Sequence, residues 1–388
     1  MGKKNKTIFW GDFNQSNFSS LKGSAQTKYL IVGGGISGLS TAYFLLENGE
    51  RDIILIEKNT IGSGSTGHSA GMLVCEPETA TWTQLVNVYG IDLARKYFEA
   101  QVSAIKLISQ VIKSEKIKCD LMSQELLMIA DTKISKKHLL KDYQTRRSMK
   151  RRVDLLSKEN LKTEFASKEY FMAERIEENI SVNPLLLARG FAQYLKKRGV
   201  RIYENTNLLS VNLDIAKTEK GKIEYKKIIK CLGVGDKKVA IDRYLATIAI
   251  TRKLTENELL SIGLADRDMF IGDERQSFHY GKITADSRLL VGYGDNKCRG
   301  KEKINYVHEP HVRNIERFLK RVFPNFKMNI SDAWSAEYVL SRSVAPVILF
   351  DNNEVTINGA GTQLTSVVSA SYAVSKILGK KHSLDKFF

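Results

Sequence analysis

The ten residues from Tyr29 to Gly38, Tyr-Leu-Ile-Val-Gly-Gly-Gly-Ile-Ser-Gly, constrain the fold of this chain more than any other segment. The apolar run up to Val32 predicts a strand that leads directly into a Gly-x-Gly-x-x-Gly turn. Gly33 permits the tight turn, Gly35 lets the backbone approach a pyrophosphate, and the final glycine allows close packing of helix and strand. The pattern predicts an adenine-dinucleotide site, against the alternative of a Gly-rich turn in another α/β unit.

The residues that follow complete a βαβ unit. Apolar residues at helical spacing predict a helix that ends near Asn48, and its N-terminus, with Ile36 and Ser37, offers N–H groups to phosphates. A second apolar strand then ends on Glu57, nineteen positions after Gly38. An acid at this distance accepts hydrogen bonds from ribose hydroxyls, so we predict that Glu57 and its neighbour Lys58 bind the cofactor.

The next segment, residues 61–72, is rich in Gly and hydroxyl side chains. An enzyme that uses NAD would be expected to continue with another βα repeat. The sequence of this segment instead predicts a long flexible loop beside the pyrophosphate. Its hydroxyl and N–H groups can form hydrogen bonds with a larger ring system. The segment therefore favours FAD as the dinucleotide.

Ser63-Gly-Ser-Thr-Gly-His-Ser-Ala-Gly71 resembles the D-amino acid oxidase (DAO) superfamily of FAD-dependent oxidoreductases. The likeness is closest to the dimethylglycine and sarcosine dehydrogenases and the γ-glutamylputrescine oxidase-like enzymes. In the dehydrogenases the His that matches His68 carries the flavin covalently, whereas the Trp before it is Gly67 here. The resemblance leaves both covalent and non-covalent FAD open.

The resemblance extends along nearly the whole chain and ends on Asn358-Gly-Ala-Gly-Thr-Gln-Leu-Thr365, which opens an apolar helix. With the residues above, it implies that the remaining cofactor contacts come from three short segments. These predicted contacts are Gly64, Ser65, Thr66, His68, Ala70, Gly71, Met72, Gly233, Gly359, Gly361, Thr362, Gln363 and Leu364.

The family likeness implies an α/β fold, α+β overall, in which an FAD-binding Rossmann-like (GR2-type) domain accompanies a discontinuous, β-rich substrate domain. We predict residues 27–100, 172–240 and 330–388 for the FAD-binding domain. Residues 101–171 and 241–329 are assigned to the substrate-binding domain, and residues 1–26 to an N-terminal arm.

On the substrate side, the resemblance points to Tyr280, Glu337 and Tyr338 as candidate catalytic residues. The chain departs from the family there, because the Arg that holds a substrate carboxylate is replaced by Tyr338 in the glycine oxidase pattern and by Glu337 in the putrescine pattern. We expect Arg275, Lys282 or Arg342 to replace that anchor. If Glu337 faces the pocket, it favours a cationic substrate such as a polyamine; otherwise it is a surface carboxylate.

Charge and composition indicate whether the protein binds nucleic acid, metal ions or a membrane. Lys and Arg total 60 against 43 Asp and Glu, a net charge of +17, and a basic stretch over 136–152 predicts a helix. Because aromatic residues are sparse in that stretch, we interpret it as a solvated helix face rather than a nucleic-acid surface. The four widely spaced cysteines predict no metal site. The sequence has no apolar run long enough for a membrane span and no secretion signal, so we expect a cytoplasmic protein.

The resemblance implies an FAD-dependent amine or amino acid oxidase or dehydrogenase. A small amine or amino acid would lose hydride from the carbon beside nitrogen to flavin N5, giving an imine that hydrolyses, with oxygen or another acceptor taking the electrons. Two alternatives stay open. One is an RNA-linked flavoenzyme, similar to the oxidase domain of a tRNA wobble-uridine modifier, and the other is a non-catalytic FAD-binding protein.

Overall fold

The computed structural model describes residues 8–77, 80–164, 172–235, 240–264, 269–273, 278–298, 307–325 and 329–388. Its strands, in chain order, are β1 Gly23–Val32, β2 Ile53–Ile56, β3 Met72–Leu73, β4 Met122–Ala130, β5 Val153–Ser157, β6 Met172–Ser181, β7 Arg201–Tyr203, β8 Leu208–Asn212, β9 Ile215–Thr218, β10 Gly221–Lys230, β11 Ile241–Lys253, β12 Met269–Asp273, β13 His279–Ile283, β14 Arg288–Lys297, β15 Ile330–Ser341, β16 Val347–Asp351 and β17 Glu354–Asn358.

Helices connect these strands. They are α1 Ile36–Glu47, α2 Ser65–His68, α3 Trp82–Tyr89, α4 Ile91–Ser114, α5 Lys133–Ser148, α6 Lys158–Glu164, α7 Pro184–Lys197, α8 Glu256–Ser261, α9 Glu309–Val322 and α10 Gln363–Ile377. None of the helices among the described residues is long and apolar enough to cross a membrane.

The predicted β1–α1–β2 unit is confirmed and forms the centre of a mixed sheet, in which β17, β10, β1, β2 and β7 are parallel. The strand order is β16-β17-β10-β1-β2-β7, with β8 and β9 attached beside β10. Side chains alternate across β1: Tyr29 and Ile31 face the core formed with α1, α4, α7 and α10, whereas Leu30 and Val32 face the opposite core. Because successive side chains of a strand point to opposite faces, both faces of the sheet are covered, one by a helical layer and the other by the β8–β9 hairpin.

The second sheet is mostly antiparallel and runs β15-β11-β14-β13-β12-β4-β6-β3, with β5 beside β6. One face packs against α9 through Ile315, Phe318 and Leu319. The other face places Ile248 and Trp334 against the first part of the chain. The fold class predicted from the sequence is thus confirmed as a mixed α/β structure.

Three strands do not follow the predicted domain boundaries. β3, β6 and β15 fall within ranges assigned to the FAD-binding domain, yet all three hydrogen-bond within the second sheet. α4 crosses the predicted boundary at residue 100 and packs in the core of the first sheet. The boundaries remain a prediction, and we propose that β3, β6 and β15 belong with the substrate-side sheet.

The Gly-rich segment 61–72 is not wholly a loop. Ser65–His68 form a helical turn, α2, and Met72 and Leu73 pair with β6 as β3. The turn is closed by a backbone hydrogen bond from Gly67 N to Gly62 O at 2.9 Å. Local hydrogen bonds therefore give this segment a defined shape that its composition did not predict.

The basic stretch forms α5, but it is not simply a solvated face. Lys136 and Lys141 are exposed, whereas Arg146 is only 2% exposed and lies among carboxylates. It contacts Glu76 Oε2 at 2.6 Å, Asp142 Oδ2 at 3.0 Å and Glu174. The expectation of a solvated helix face is wrong for this arginine, because buried carboxylates from distant segments converge on it.

We expect Arg146→Met to destabilise the protein by about 3–5 kcal/mol, because the carboxylates around it would stay buried without their guanidinium. Urea unfolding followed by circular dichroism measures this loss. Arg147→Met, at the exposed next position of α5, is the matched control and should change stability by less than about 0.5 kcal/mol. Equal effects of the two substitutions would contradict the buried cluster as a stabilising unit.

Candidate functional site

A cavity of about 1990 Å³ lies where the carboxyl ends of β1, β2 and β10 meet the face of the second sheet. Ligands bind at this edge in open α/β sheets. Most of the sequence-predicted site residues line it. They are Gly33, Gly35, Ile36, Ser37, Glu57, Lys58, Gly64, Ser65, Thr66, His68, Ala70, Met72, Gly233, Tyr280, Glu337, Tyr338, Gly359, Gly361, Thr362 and Gln363.

Three predicted cofactor residues, Gly38, Gly71 and Leu364, lie behind the lining. A Cβ on Gly38 would stand 1.9 Å from the carbonyl oxygen of Gly33, so this glycine shapes the turn without facing the cavity. Gly71 has φ +66°, and its Cβ would stand 2.1 Å from Val182 O. Leu364 is fully buried in the core.

The Gly-rich turn forms one wall of the cavity. Gly33 has φ +118°, and an added Cβ would stand 2.4 Å from Cys231 O, so no side chain fits there. Gly35 is the N-cap of α1 and supplies no capping side chain. The N-terminus of α1 therefore presents its N–H groups at the cavity, the arrangement that binds phosphate groups.

Glu57 stands at the end of β2 beside this turn. Its carboxylate accepts hydrogen bonds from Gly34 N at 2.7 Å and from Asn59 N at 2.9 Å. These bonds fix the carboxylate at the cavity wall. Further lone pairs of a carboxylate held this way can accept bonds from hydroxyl groups.

Segment 61–72 is held between the two sheets. On the second sheet, Trp334 Nε1 donates to His68 O at 2.8 Å, and Ser65 Oγ donates to Glu337 O at 2.7 Å. On the side of the first sheet, Thr66 Oγ1 accepts from the N–H of Ile36, the first residue of α1, at 3.1 Å. α2 is thereby fixed beside both the Gly-rich turn and β15.

The residues present fit a bound dinucleotide. Ser63 Oγ and Gln363 Oε1 are buried and have no hydrogen-bond partner among the described residues, although both residues line the cavity. Buried polar atoms of this kind normally bond to protein, water or a ligand. With the Gly-rich turn and Glu57, they make a polar cradle suited to phosphate, ribose and a heterocyclic ring.

Aromatic side chains of the second sheet form the opposite wall. The Tyr280 ring lies across Gly292, where an added Cβ would stand 2.1 Å from the ring. Phe278 lies 5.7 Å from Tyr280, and Tyr338 lies 5.7 Å from Tyr244, between ring centroids. This wall can enclose a small organic molecule beside the cradle.

Glu337 faces the cavity but carries a partner that the sequence did not reveal. Arg243 Nη2 donates to Glu337 Oε1 at 2.6 Å and to Oε2 at 2.5 Å, and both residues line the cavity. The Glu337 side chain is only 3% exposed, against 40% for Arg243. The two residues sit on neighbouring strands, β15 and β11, and only that pairing brings them together.

Of the residues expected to replace the missing Arg, the two that the structure describes, Lys282 and Arg342, do not line the cavity. Arg342 pairs with Asp242 at 3.0 Å, and Lys282 is buried against Gly71 O at 3.3 Å, where burial lowers its pKa to about 7. Arg275 falls outside the described residues. Arg243 is the cation that the structure places beside Glu337.

Comparison with known proteins identifies the class to which this fold and cavity belong. The model of the DAO family, described as FAD dependent oxidoreductase, matches residues 28–369. The chain belongs to this family: it is an oxidoreductase, and its cofactor is FAD. The family resemblance read from the sequence is thus confirmed.

Individual relatives agree with this. γ-Glutamylputrescine oxidoreductase of Escherichia coli is 27% identical over 95% of this chain and 88% of its own length. Dimethylglycine dehydrogenase of Rattus norvegicus is 49% identical, but over only 11% of this chain and 5% of its own. Glycine oxidase from Geobacillus kaustophilus shares the fold with a TM-score of 0.77 at 19% identity, covering 93% of this chain and 97% of that one.

We expect Glu57→Ala to raise the dissociation constant for FAD roughly tenfold or more, because a charged acceptor of hydrogen bonds is lost. Anaerobic fluorescence titration with FAD, on protein produced without flavin, measures the change. Glu47→Ala, on the same βαβ unit but paired with Arg198 away from the cavity, is the control and should bind FAD normally. Unchanged affinity in Glu57→Ala would remove the carboxylate from the cofactor site.

Proposed function

We propose that this protein oxidises the C–N bond of a small amine or amino acid, giving an imine that water hydrolyses. The observation that carries the proposal is the single cavity joining the dinucleotide cradle to an aromatic and ionic wall. FAD supplies the chemistry by accepting a hydride at N5, and oxygen or another acceptor then takes the electrons. The protein's own residues bind, orient and exclude water.

We assign the cofactor to the Gly-rich turn, to Glu57 and to the segments around His68 and Gly361. The N-terminus of α1 would bind the pyrophosphate, and Glu57 the ribose. α2 and the N-terminus of α10 would hold the flavin ring, and the positive end of the α10 dipole stabilises negative charge there. Gly38, Gly71 and Leu364 would then act by shaping the backbone and core around the site.

The substrate would lie between the flavin and the wall formed by Tyr280, Tyr338 and Glu337. Tyr280 is held across Gly292 and gives a flat apolar surface for the carbon that reacts. The amine must reach the flavin with its nitrogen lone pair free, since that lone pair forms the C=N bond as hydride leaves. Positioning of the C–H bond and loss of the ammonium proton are therefore the main demands on the protein.

The Arg243–Glu337 ion pair changes the expected substrate charge. An unpaired Glu337 would favour a cation, but the guanidinium already neutralises this carboxylate. The cavity wall thus presents a guanidinium and a carboxylate. An amino acid carries the complementary pair, a carboxylate and an ammonium group. Glu337 alone therefore gives no reason to rank a cationic amine above an amino acid.

The RNA-linked alternative gains no specific support. Arg146 and Arg151, which contribute to the basic character of the stretch over 136–152, are both buried in the cluster around Glu76. The exposed lysines of α5 lack an aromatic platform for bases.

The amine assignment predicts that anaerobic flavin bleaching by the best substrate rises with pH and levels off above the pKa of the substrate ammonium, because only the neutral amine can give up hydride. Stopped-flow absorbance with panels of primary amines, N-methyl amines, amino acids and matched hydroxy acids measures the rate. Bleaching by hydroxy acids alone, or a rate that is flat across the ammonium pKa, would contradict the assignment.

We also propose that His68 bonds to the flavin 8α carbon through Nε2. Such a bond would cost the 8α carbon one proton and the imidazole its Nδ1 proton, and oxygen would take up the two electrons left in the flavin. Acid precipitation should leave yellow colour in the pellet of the wild type and of His382→Ala, and none in the pellet of His68→Ala. Flavin released wholly into the wild-type supernatant would show that the contact is non-covalent.

A further inference from the structure

The N-terminal arm, described over residues 8–21, crosses the back of segment 61–72. Trp10 Nε1 donates to Ser69 O at 2.8 Å. Thr60 Oγ1 donates to Phe13 O at 2.6 Å. The arm is thus tied by hydrogen bonds to both ends of the segment that lines the cofactor cavity.

Glu204, a fully buried carboxylate after β7, strengthens this attachment. One of its oxygens, Oε2, accepts from Asn17 N at 2.6 Å and from Phe18 N at 2.9 Å. Its other oxygen, Oε1, accepts from Ile61 N at 2.6 Å. One buried charge therefore bonds the arm and the start of the Gly-rich segment together, and charged acceptors make the stronger hydrogen bonds.

The arm places an aromatic ring directly behind His68. The centroids of the Phe13 and His68 rings are 4.3 Å apart, with an angle of 33° between the planes. His68 lines the cavity, and Phe13 does not. The contact is in the range of favourable aromatic pairs.

Gly67 makes this contact sterically possible. A Cβ at position 67 would stand 2.9 Å from Phe13 Cε1 and 2.3 Å from Gly62 O. A side chain there would collide with the backbone of its own turn and with the Phe13 ring. The aromatic neighbour of His68 therefore comes from the arm, and not from the residue that precedes His68 in the sequence.

The hydrogen bond of His68 decides which ring nitrogen is protonated. His68 Nδ1 lies 3.0 Å from Gly64 O, and a carbonyl oxygen only accepts, so Nδ1 carries the proton. Burial lowers the pKa of His68, against the opposing effect of this hydrogen bond, and so favours the neutral imidazole. Nε2 then has a free lone pair.

We propose that Phe13 is a positioning residue for His68: its ring holds the imidazole against the Gly64 carbonyl in the Nδ1–H tautomer, which presents the Nε2 lone pair to the cofactor cavity. This inference rests on the proposed role of His68 in holding the flavin. It adds the arm to the cofactor site, although no atom of Phe13 lines the cavity.

The test compares full-length variants produced without flavin, from riboflavin-starved cells. Phe13→Ala and the milder Phe13→Leu remove the ring, Phe13→Tyr keeps it, and Phe9→Ala removes another arm aromatic, one that contacts Trp10 at 4.8 Å. Histidine ¹⁵N NMR, with the His68 signal identified by its loss in His68→Gln, reports the pKa and tautomer of His68. FAD titration under anaerobic conditions, which keep binding reversible, reports the dissociation constant.

Loss of the ring admits water to the imidazole, so Phe13→Ala and Phe13→Leu should raise the pKa of His68 toward its ordinary value of about 6.5. Both should also weaken FAD binding, roughly tenfold for Phe13→Ala. Phe13→Tyr and Phe9→Ala should match the wild type in both measurements. The pKa readout needs neither flavin nor turnover, so it stands even if no amine proves to be a substrate.

Two results would overturn the proposal. An unchanged pKa and tautomer of His68 in both ring-deleted variants would show that Phe13 does not position the imidazole. Equal changes in Phe9→Ala and Phe13→Ala would show that the packing of the whole arm, and not this ring, is responsible.

Discussion

The backbone of segment 61–72 is the constraint on which the cavity depends. Buried peptide groups must be paired, and this segment finds its partners in three separate regions. Gly62 N donates to Gly34 O at 3.1 Å in the first sheet unit, Trp334 on the second sheet donates to His68 O, and Trp10 of the arm donates to Ser69 O. The relative position of the two cavity walls is therefore fixed through twelve residues of chain.

The parts of the fold that could be predicted from the sequence are those whose causes are local. β1, α1 and β2 follow from apolar periodicity, from glycines at fixed spacing and from an acid at the end of the second strand. All of these lie within residues 29–57. The cofactor-binding residues Gly33, Gly35 and Glu57 could be predicted for the same reason, because all three lie within one βαβ unit. The cofactor contacts of the C-terminal segment around Gly361 were predicted from the family resemblance and not from a local pattern.

The parts that could not be predicted depend on contacts between distant segments. Arg243 and Glu337 are 94 positions apart and meet only because β11 and β15 are paired. In the sequence, Arg146 cannot be distinguished from its exposed neighbours, because its partners Glu76 and Glu174 lie in distant segments. The periodicity of a sequence carries no information on contacts between distant segments. For the same reason, the sequence did not predict that β6 and β15 pair within the second sheet.

The attachment of the arm at Glu204 has a consequence for the order of events on the ribosome. The hydrogen bond from Phe18 N to Glu204 spans 186 positions, and the bond from Ser65 to Glu337 spans 272. Chains emerge N-terminus first, and contacts of such long range form late. β1, α1 and β2 can form early in synthesis, but β16, β17 and α10 of the same unit emerge last. The flavin-lining segment acquires its full set of partners only after β15 has emerged. We therefore expect stable retention of the cofactor to be a late step in the maturation of this chain.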